Sequence, residues 1–187
     1  DGKYILAGNQ EYFGVWEAES GRKLKKYRQY KKDKRNYVVE AKWIGNAHDV
    51  FILYKNGEFL VDRLGKKKRY NSEFRLLPNE APIGSVRFSQ DGTYAAFRMK
   101  DGSVRIYRID PSQRNFRFTY ENTLKVNFKE KPYSFDISAK GKYLGGVLQK
   151  GEGILGEYVR LFDAHSNVPK PILHGGYERF FLSPGEK

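Results

Sequence analysis

The sequence predicts an all-β chain of about four repeated antiparallel units, each of four short strands. Three observations carry this prediction. Residues 83 to 110 hold three short runs rich in Val, Ile, Tyr and Phe, punctuated by Asp91-Gly92 and Asp101-Gly102. Asp-Gly suits the positive φ angles of tight hairpin turns, and β-branched and aromatic residues suit pleated strands, so the segment reads as a meander. The segment then recurs. Asp1-Gly2-Lys3-Tyr4-Ile5 and Lys140-Gly141-Lys142-Tyr143-Leu144 match Asp91-Gly92-Thr93-Tyr94-Ala95, and a degenerate copy runs from Gly45 to Ile52. The repeat averages about 46 residues. Finally, the aromatic residues are mostly Tyr (14) and Phe (13), which favours strands over helices.

Taken in order, each copy carries further strands. After the Asp-Gly-type turn and its strand come Gly14-Val15-Trp16-Glu17, Gly57-Glu58-Phe59-Leu60-Val61-Asp62, Val104-Arg105-Ile106-Tyr107-Arg108 and Val159-Arg160-Leu161-Phe162-Asp163. Polar or Gly-containing turns follow, such as Glu19-Ser20-Gly21 and Leu64-Gly65, and then another strand-like run, of which Phe116-Arg117-Phe118-Thr119-Tyr120 alternates cleanly. Four short strands in about 46 residues is the arithmetic of a propeller blade. Alternating apolar positions, Val86 with Phe88 and Phe116 with Phe118, are expected to bury one blade against the next. Trp16 and Trp43 fall in strand-like runs and are assigned to blade packing, while Asp91 and Asp101 are assigned to turns.

These copies resemble the blades of WD-repeat β-propellers, whose third strand ends in Trp-Asp or a relaxed version of it. Trp16-Glu17 and Phe162-Asp163 are the relaxed versions, and Tyr107-Arg108 has lost the acid. The Ser-Pro-Asp-Gly turn of such blades is matched by Ser89-Gln90-Asp91-Gly92 and Ser183-Pro184-Gly185-Glu186. The Gly-His pair that often opens a blade is not evident, and His174-Gly175 reverses it. The resemblance covers nearly the whole chain. It implies a single β-propeller domain over residues 1–187, expected to be part of a larger ring. The alternative is four blades closed by strand 177–184 pairing with the first blade, which would remove exposed edges.

The 187 residues carry a net charge of +13 and a pI near 9.7, a balance that favours acidic partners: nucleic acid, acidic protein or anionic membrane. The absence of cysteine excludes disulfides, thiolate metal sites and a cysteine nucleophile. No apolar run is long enough to cross a bilayer, and no secretory signal is visible. A chain that begins at Asp1, with its one Met at position 99, is expected to be processed, excised or incompletely represented. Cytoplasmic location is the working expectation, although composition does not identify the compartment.

Catalytic constellations are lacking. His48, His165 and His174 are dispersed in expected turns without metal-ligand spacing. The glycines around Gly141 and Gly151-Glu152-Gly153 lack the Lys-Ser/Thr and strand-to-helix context of a phosphate loop. The reading is therefore non-enzymatic, with no cofactor and no metal. WD-like rings recruit peptides or domains on the face carrying the loops between second and third strands, here Lys55, Lys100 and Lys150. The loops joining blades share that face, adding Lys31, Lys32, Lys34, Arg35, Lys129 and Lys131. A scaffold that recruits an acidic protein partner on this basic face is the expected function. The alternative is contact with RNA or DNA phosphates through Arg22, Lys23, Lys25, Lys26, Tyr27, Arg28 and Tyr30, where aromatics interleave with bases. The same run also suits a lysine-protected edge strand. A second basic run, Lys66-Lys67-Lys68-Arg69, belongs by blade geometry to the opposite face.

Overall fold

A computed structural model of the chain describes residues 2–8, 12–28, 30–31, 33–45, 48–64, 82–110, 117–125, 135–148, 158–166 and 169–174, with backbone alone at 28, 30–31, 33–36, 82–85, 148, 158 and 169–174. The described residues form fifteen strands in four antiparallel sheets and no helix. The first sheet runs β1 (Tyr4–Gly8), β2 (Tyr12–Glu17), β3 (Lys23–Arg28). The second holds β4 (Tyr30–Lys31), β5 (Asp33–Trp43), β6 (Asp49–Tyr54) and β7 (Phe59–Arg63). The third is β8 (Pro82–Phe88), β9 (Tyr94–Met99), β10 (Val104–Asp110) and β11 (Arg117–Leu124). The fourth is β12 (Phe135–Ile137), β13 (Tyr143–Leu148), β14 (Tyr158–Asp163) and β15 (Pro169–His174).

The third and fourth sheets are the up-and-down blades that the repeat predicts. The first has three described strands, and the expected pairing of 177–184 with it lies outside the described residues. The second differs from expectation. Its fourth described strand, β4, is not an outer strand but folds back on the inner strand β5, pairing Tyr30 with Tyr37 and Lys31 with Asp33. Residues 65–81, where its outer strand was expected, lie outside the described residues, as do Phe116 and the run Lys66 to Arg69.

The third and fourth blades build the turn between first and second strands in the same way. In the third blade the Gly92 N–H donates to the Ser89 carbonyl at 3.0 Å, and the Ser89 hydroxyl accepts from the Tyr94 N–H at 2.9 Å. In the fourth, Gly141 and Tyr143 make the same bonds to Ser138, each at 2.9 Å. Gly92 and Gly141 both sit at φ 74, the left-handed region that glycine enters without strain. Asp91 accepts from the Ser89 and Thr93 hydroxyls at 2.7 and 2.8 Å, which completes the turn.

Blades pack face to face through the apolar alternation of their strands. Phe51, Leu53, Phe59 and Val61 of the second blade meet Ala95, Phe97, Tyr107, Ile109 and Phe118 of the third. Ala96, Val104, Ile106 and Leu124 on the third blade's other face meet Phe135, Ile137, Leu144 and Phe162 of the fourth. Val15 and Tyr27 of the first blade, with Tyr4, Leu6 and Phe13 beside them, meet Val50, Ile52 and Tyr54. Removing such area from water, about 1.5–3 kcal/mol per large side chain, is the main force holding the blades together. Val86 belongs to this core and Phe88 packs against it, as their alternation predicts.

Charged side chains stitch the inner strands. On the free edge of β8, the Val86 N–H donates to Glu40 Oε2 at 2.7 Å, and the Val86 carbonyl accepts from Lys42 Nζ at 2.7 Å. Arg87 repeats the device one blade on, donating from Nε to the Phe135 carbonyl at 3.1 Å. Lys42 and Arg87 are equivalent by register, opposite Phe51 and Ala96 on their second strands. Unpaired backbone groups at an edge are costly when buried, so these cations satisfy what the ladder cannot.

Candidate partner-binding surface

The face formed by second-to-third-strand turns gathers several of the basic residues named from sequence. β5 overshoots its partner here. Its pairing with β6 ends at Val38 opposite Tyr54, so residues 33–37 and β4 extend beyond the 55–58 turn as a hairpin. That hairpin carries Lys31, Lys34 and Arg35 on its backbone, while Lys32 lies outside the described residues. Lys55 ties the turn to the hairpin. Its backbone N–H donates to the Tyr37 carbonyl at 2.9 Å, and its Nζ stands 5.1 Å from the centre of the Tyr37 ring. Tyr37 is 39% exposed, so the pair offers solvent an aromatic face beside a cation.

The equivalent turn of the third blade presents exposed Lys100 next to Asp101. The Ser103 hydroxyl and then its backbone N–H hold the Asp101 carboxyl below the usual carboxylate range, with a smaller pull from Lys125. Lys125 follows β11, is exposed and joins this face. The sequence reading passed over it, although its place just ahead of Lys129 in an inter-blade connection was the available signal. Lys129, Lys131 and Lys150 lie outside the described residues.

The run proposed to touch nucleic acid is divided by strand alternation. Lys25 and Tyr27 point into the junction with the second blade. Lys25 Nζ lies 2.5 Å from Asp62 Oδ2, and the Tyr27 hydroxyl donates to the same oxygen at 2.6 Å. Tyr27 is 2% exposed, so its ring is packed in the core and is not presented for stacking on a base. Lys23 and Lys26 take the opposite face, with Nζ atoms 4.9 and 4.2 Å from the Tyr12 ring centre. Arg22 reaches Glu17 at 3.6 Å, and the Ser20 hydroxyl, ahead of Arg22, lowers the Glu17 carboxyl. Arg28 lies in β3 and Tyr30 in β4, described by backbone alone.

Matching the copies by sequence sets Asp62 level with Glu17 and Asp163, and the cross-strand register corrects this. Glu17, Arg63, Arg108 and Asp163 stand opposite Tyr4, Asp49, Tyr94 and Tyr143, so Arg63 is the true counterpart of Glu17 and Asp163. Asp62 therefore occupies the place of Trp16, Tyr107 and Phe162, where the other blades carry an aromatic ring.

His48 and His165 lie edge-on to Tyr4 and Tyr94, with ring centres 4.6 and 5.3 Å apart. His174 ends β15 and is not in a turn. Among the described residues no group of three or more His, Asp or Glu side chains is gathered as metal ligands.

No family model matches this sequence, and no curated protein matches it. Solved structures do share the fold. The β-propeller domain of Cps50 (Swd1) from Myceliophteria thermophila superposes with a TM-score of 0.70 at 9% identity, over 96% of this chain and 59% of that one. A chain of the mitotic checkpoint complex matches with TM-score 0.60 at 16% identity, over 90% of this chain and 47% of that one. Hsv2p of Kluyveromyces lactis matches with TM-score 0.57 at 12% identity, over 95% and 49%. The fold is that of a WD-repeat-like β-propeller, and the chain spans about half to three fifths of the rings it matches, as part of such a propeller.

Proposed function

We propose that this chain is a non-enzymatic interaction scaffold that recruits an acidic segment of a partner protein on its basic propeller face. The observation that carries the reading is the β4–β5 hairpin, which projects Lys31, Lys34 and Arg35 past the turn holding Lys55. Lys100 and Lys125 extend the same face onto the third blade. Single-sign clusters of this kind steer an oppositely charged partner and fix its register more than they add raw affinity. Membership of multi-protein assemblies by a structurally similar chain, that of the mitotic checkpoint complex, agrees with a scaffold role. The inward burial of Tyr27 and the pairing of Lys25 with Asp62 count against the 22–30 segment as a phosphate-tracking site.

The test is charge reversal at Lys32, Arg35 and Lys100 in one variant, followed by quantitative capture of partners by the tagged protein. Loss of an acidic partner from the captured set is the expected result. An unchanged set would mean that another surface does the binding.

A further inference from the structure

Among the described residues, the first blade has one face that no other blade covers. Ile5 is 50% exposed, whereas Val50, Ala95 and Leu144, which hold the same place on the second strands of the other blades, are each 0% exposed. Trp16 repeats the contrast. It is half-buried, while Asp62, Tyr107 and Phe162 at its position are 0, 1 and 5% exposed against the preceding blade. Its indole lies flat on the sheet, so close over Gly14 that a Cβ there would come within 2.7 Å of the ring. Ile5 and Trp16 pair across the sheet, and Tyr12 shares their face. At each of the three internal junctions this is the face against which the preceding blade packs.

The charge on the face says what that blade must bring. Lys25, on the covered side of β3, meets the buried carboxylate of Asp62 at 2.5 Å. Lys23 and Lys26, on the uncovered side, lie over Tyr12 and make no ion pair with a carboxylate among the described residues. A second copy seated face to face would set these lysines against themselves, since a two-fold contact uses the same patch twice. The similar structures place further blades in the same polypeptide, the Swd1 propeller being a chain of which this one spans 59%.

We infer that the Ile5, Tyr12 and Trp16 face docks a further blade of the same polypeptide ring, whose facing strand sets an Asp or Glu against Lys23 and Lys26. This junction has the polarity opposite to that between the first and second blades, where the following blade supplies the acid and the preceding blade the base. It is independent of the basic face proposed above.

The test uses the protein from its complete coding region. A zero-length carbodiimide joins amines to carboxylates in contact, and mass spectrometry identifies the linked peptides. Lys23 or Lys26 is expected to link to an Asp or Glu of a strand-forming segment outside residues 1–187 of the same polypeptide. K23R/K26R, which keeps both charges but has no amine for the carbodiimide to join, should lose that link and remain folded. Hydroxyl-radical footprinting, normalised for side-chain reactivity, should mark Tyr12 and Trp16 as slowly as buried Phe97 and far more slowly than exposed Tyr120. Links to acids within residues 1–187 of a second copy, or to another polypeptide, would overturn the inference. So would absence of any link with Trp16 labelled like Tyr120, and so would ultraviolet cross-linking of a polyuridine probe to Tyr12 or Trp16.

Discussion

Tyr27 donates a 2.6 Å hydrogen bond to Asp62 from the blade next door, and Lys25 clasps the same carboxylate oxygen at 2.5 Å. Asp62 is fully buried at a position where other blades place an aromatic ring. A buried carboxylate needs its charge matched, and here Oδ2 takes both contacts while Oδ1 has no hydrogen-bond partner among the described residues. The charge therefore rests on Lys25 and Tyr27 together, and the three residues behave as one unit. Removing the acid-bound hydroxyl by Tyr27→Phe should cost about 1.5–3 kcal/mol, and stranding the charge by Lys25→Met about 3–5 kcal/mol. Exchanging the whole set, with Lys25→Met, Tyr27→Phe and Asp62→Leu together, should restore most of the loss, because a packed apolar junction needs no compensation. Urea denaturation reads all three variants. Additive losses in the triple variant would mean that the residues are not coupled.

The inner edge makes a prediction about pH. Burial pushes the Lys42 ammonium below its ordinary range, with Glu40 opposing and Arg87 adding to the depression. A lysine whose folded pKa lies below its unfolded value of 10.5 binds fewer protons when folded. Its penalty is complete below the folded pKa and is relieved as pH rises from there towards 10.5. Tyr107, whose hydroxyl burial pushes up, acts in the opposite sense, with stability falling as pH climbs above 10. The difference between wild type and Lys42→Met therefore isolates the lysine. Wild type should gain on the variant through the alkaline window below 10.5. A constant difference across that window would remove Lys42 from the account.

Two glycines of the repeated turns should respond unequally to alanine. Gly45 sits at φ 55, and a Cβ there would lie 2.5 Å from the Gly92 nitrogen, backbone against backbone between blades. Gly92 sits at φ 74 with its nearest new contact a side-chain carbon at 3.5 Å. Gly92→Ala should cost only the left-handed strain, about 1–2 kcal/mol, whereas Gly45→Ala should cost more because the blades must also part. Equal losses in thermal or chemical unfolding would show that the contact between the two turns carries no stability.

Some of this was legible in the sequence for plain physical reasons. The Gly-x-Tyr turns of the third and fourth blades recur because a positive φ, a Ser hydroxyl and a Tyr-led second strand act together there, and Gly92 and Gly141 serve them alike. The second blade instead has Ile44 in the Ser place and opens its second strand at Asp49. The division of the 22–28 run was half legible. Period-two alternation separates Lys25 and Tyr27 from Lys26, but the acid that draws them inward lies 35 residues beyond Tyr27. Distance along the chain hid that pairing. The β4–β5 hairpin was hidden for another reason, since a stretch dense in lysine and arginine reads as a solvated connection and offers no apolar alternation to announce a strand. Arg63, not Asp62, as the counterpart of Glu17 became visible only through the cross-strand register.

The basic hairpin face is the centre of the functional proposal, and titration with an acidic peptide tests it most directly. A glutamate-rich peptide at fixed moderate salt is titrated into wild type, into a variant with Lys31, Lys34, Arg35 and Lys55 reversed to Glu, and into one with Lys66, Lys67, Lys68 and Arg69 reversed. Both variants change the net charge by the same amount, so net charge alone predicts equal effects. Local docking on the hairpin face predicts that the first variant binds at least about tenfold more weakly, while the second stays within about twofold of wild type. Equal weakening of the two variants would contradict the proposal and leave only a diffuse attraction of a basic protein for acidic chains.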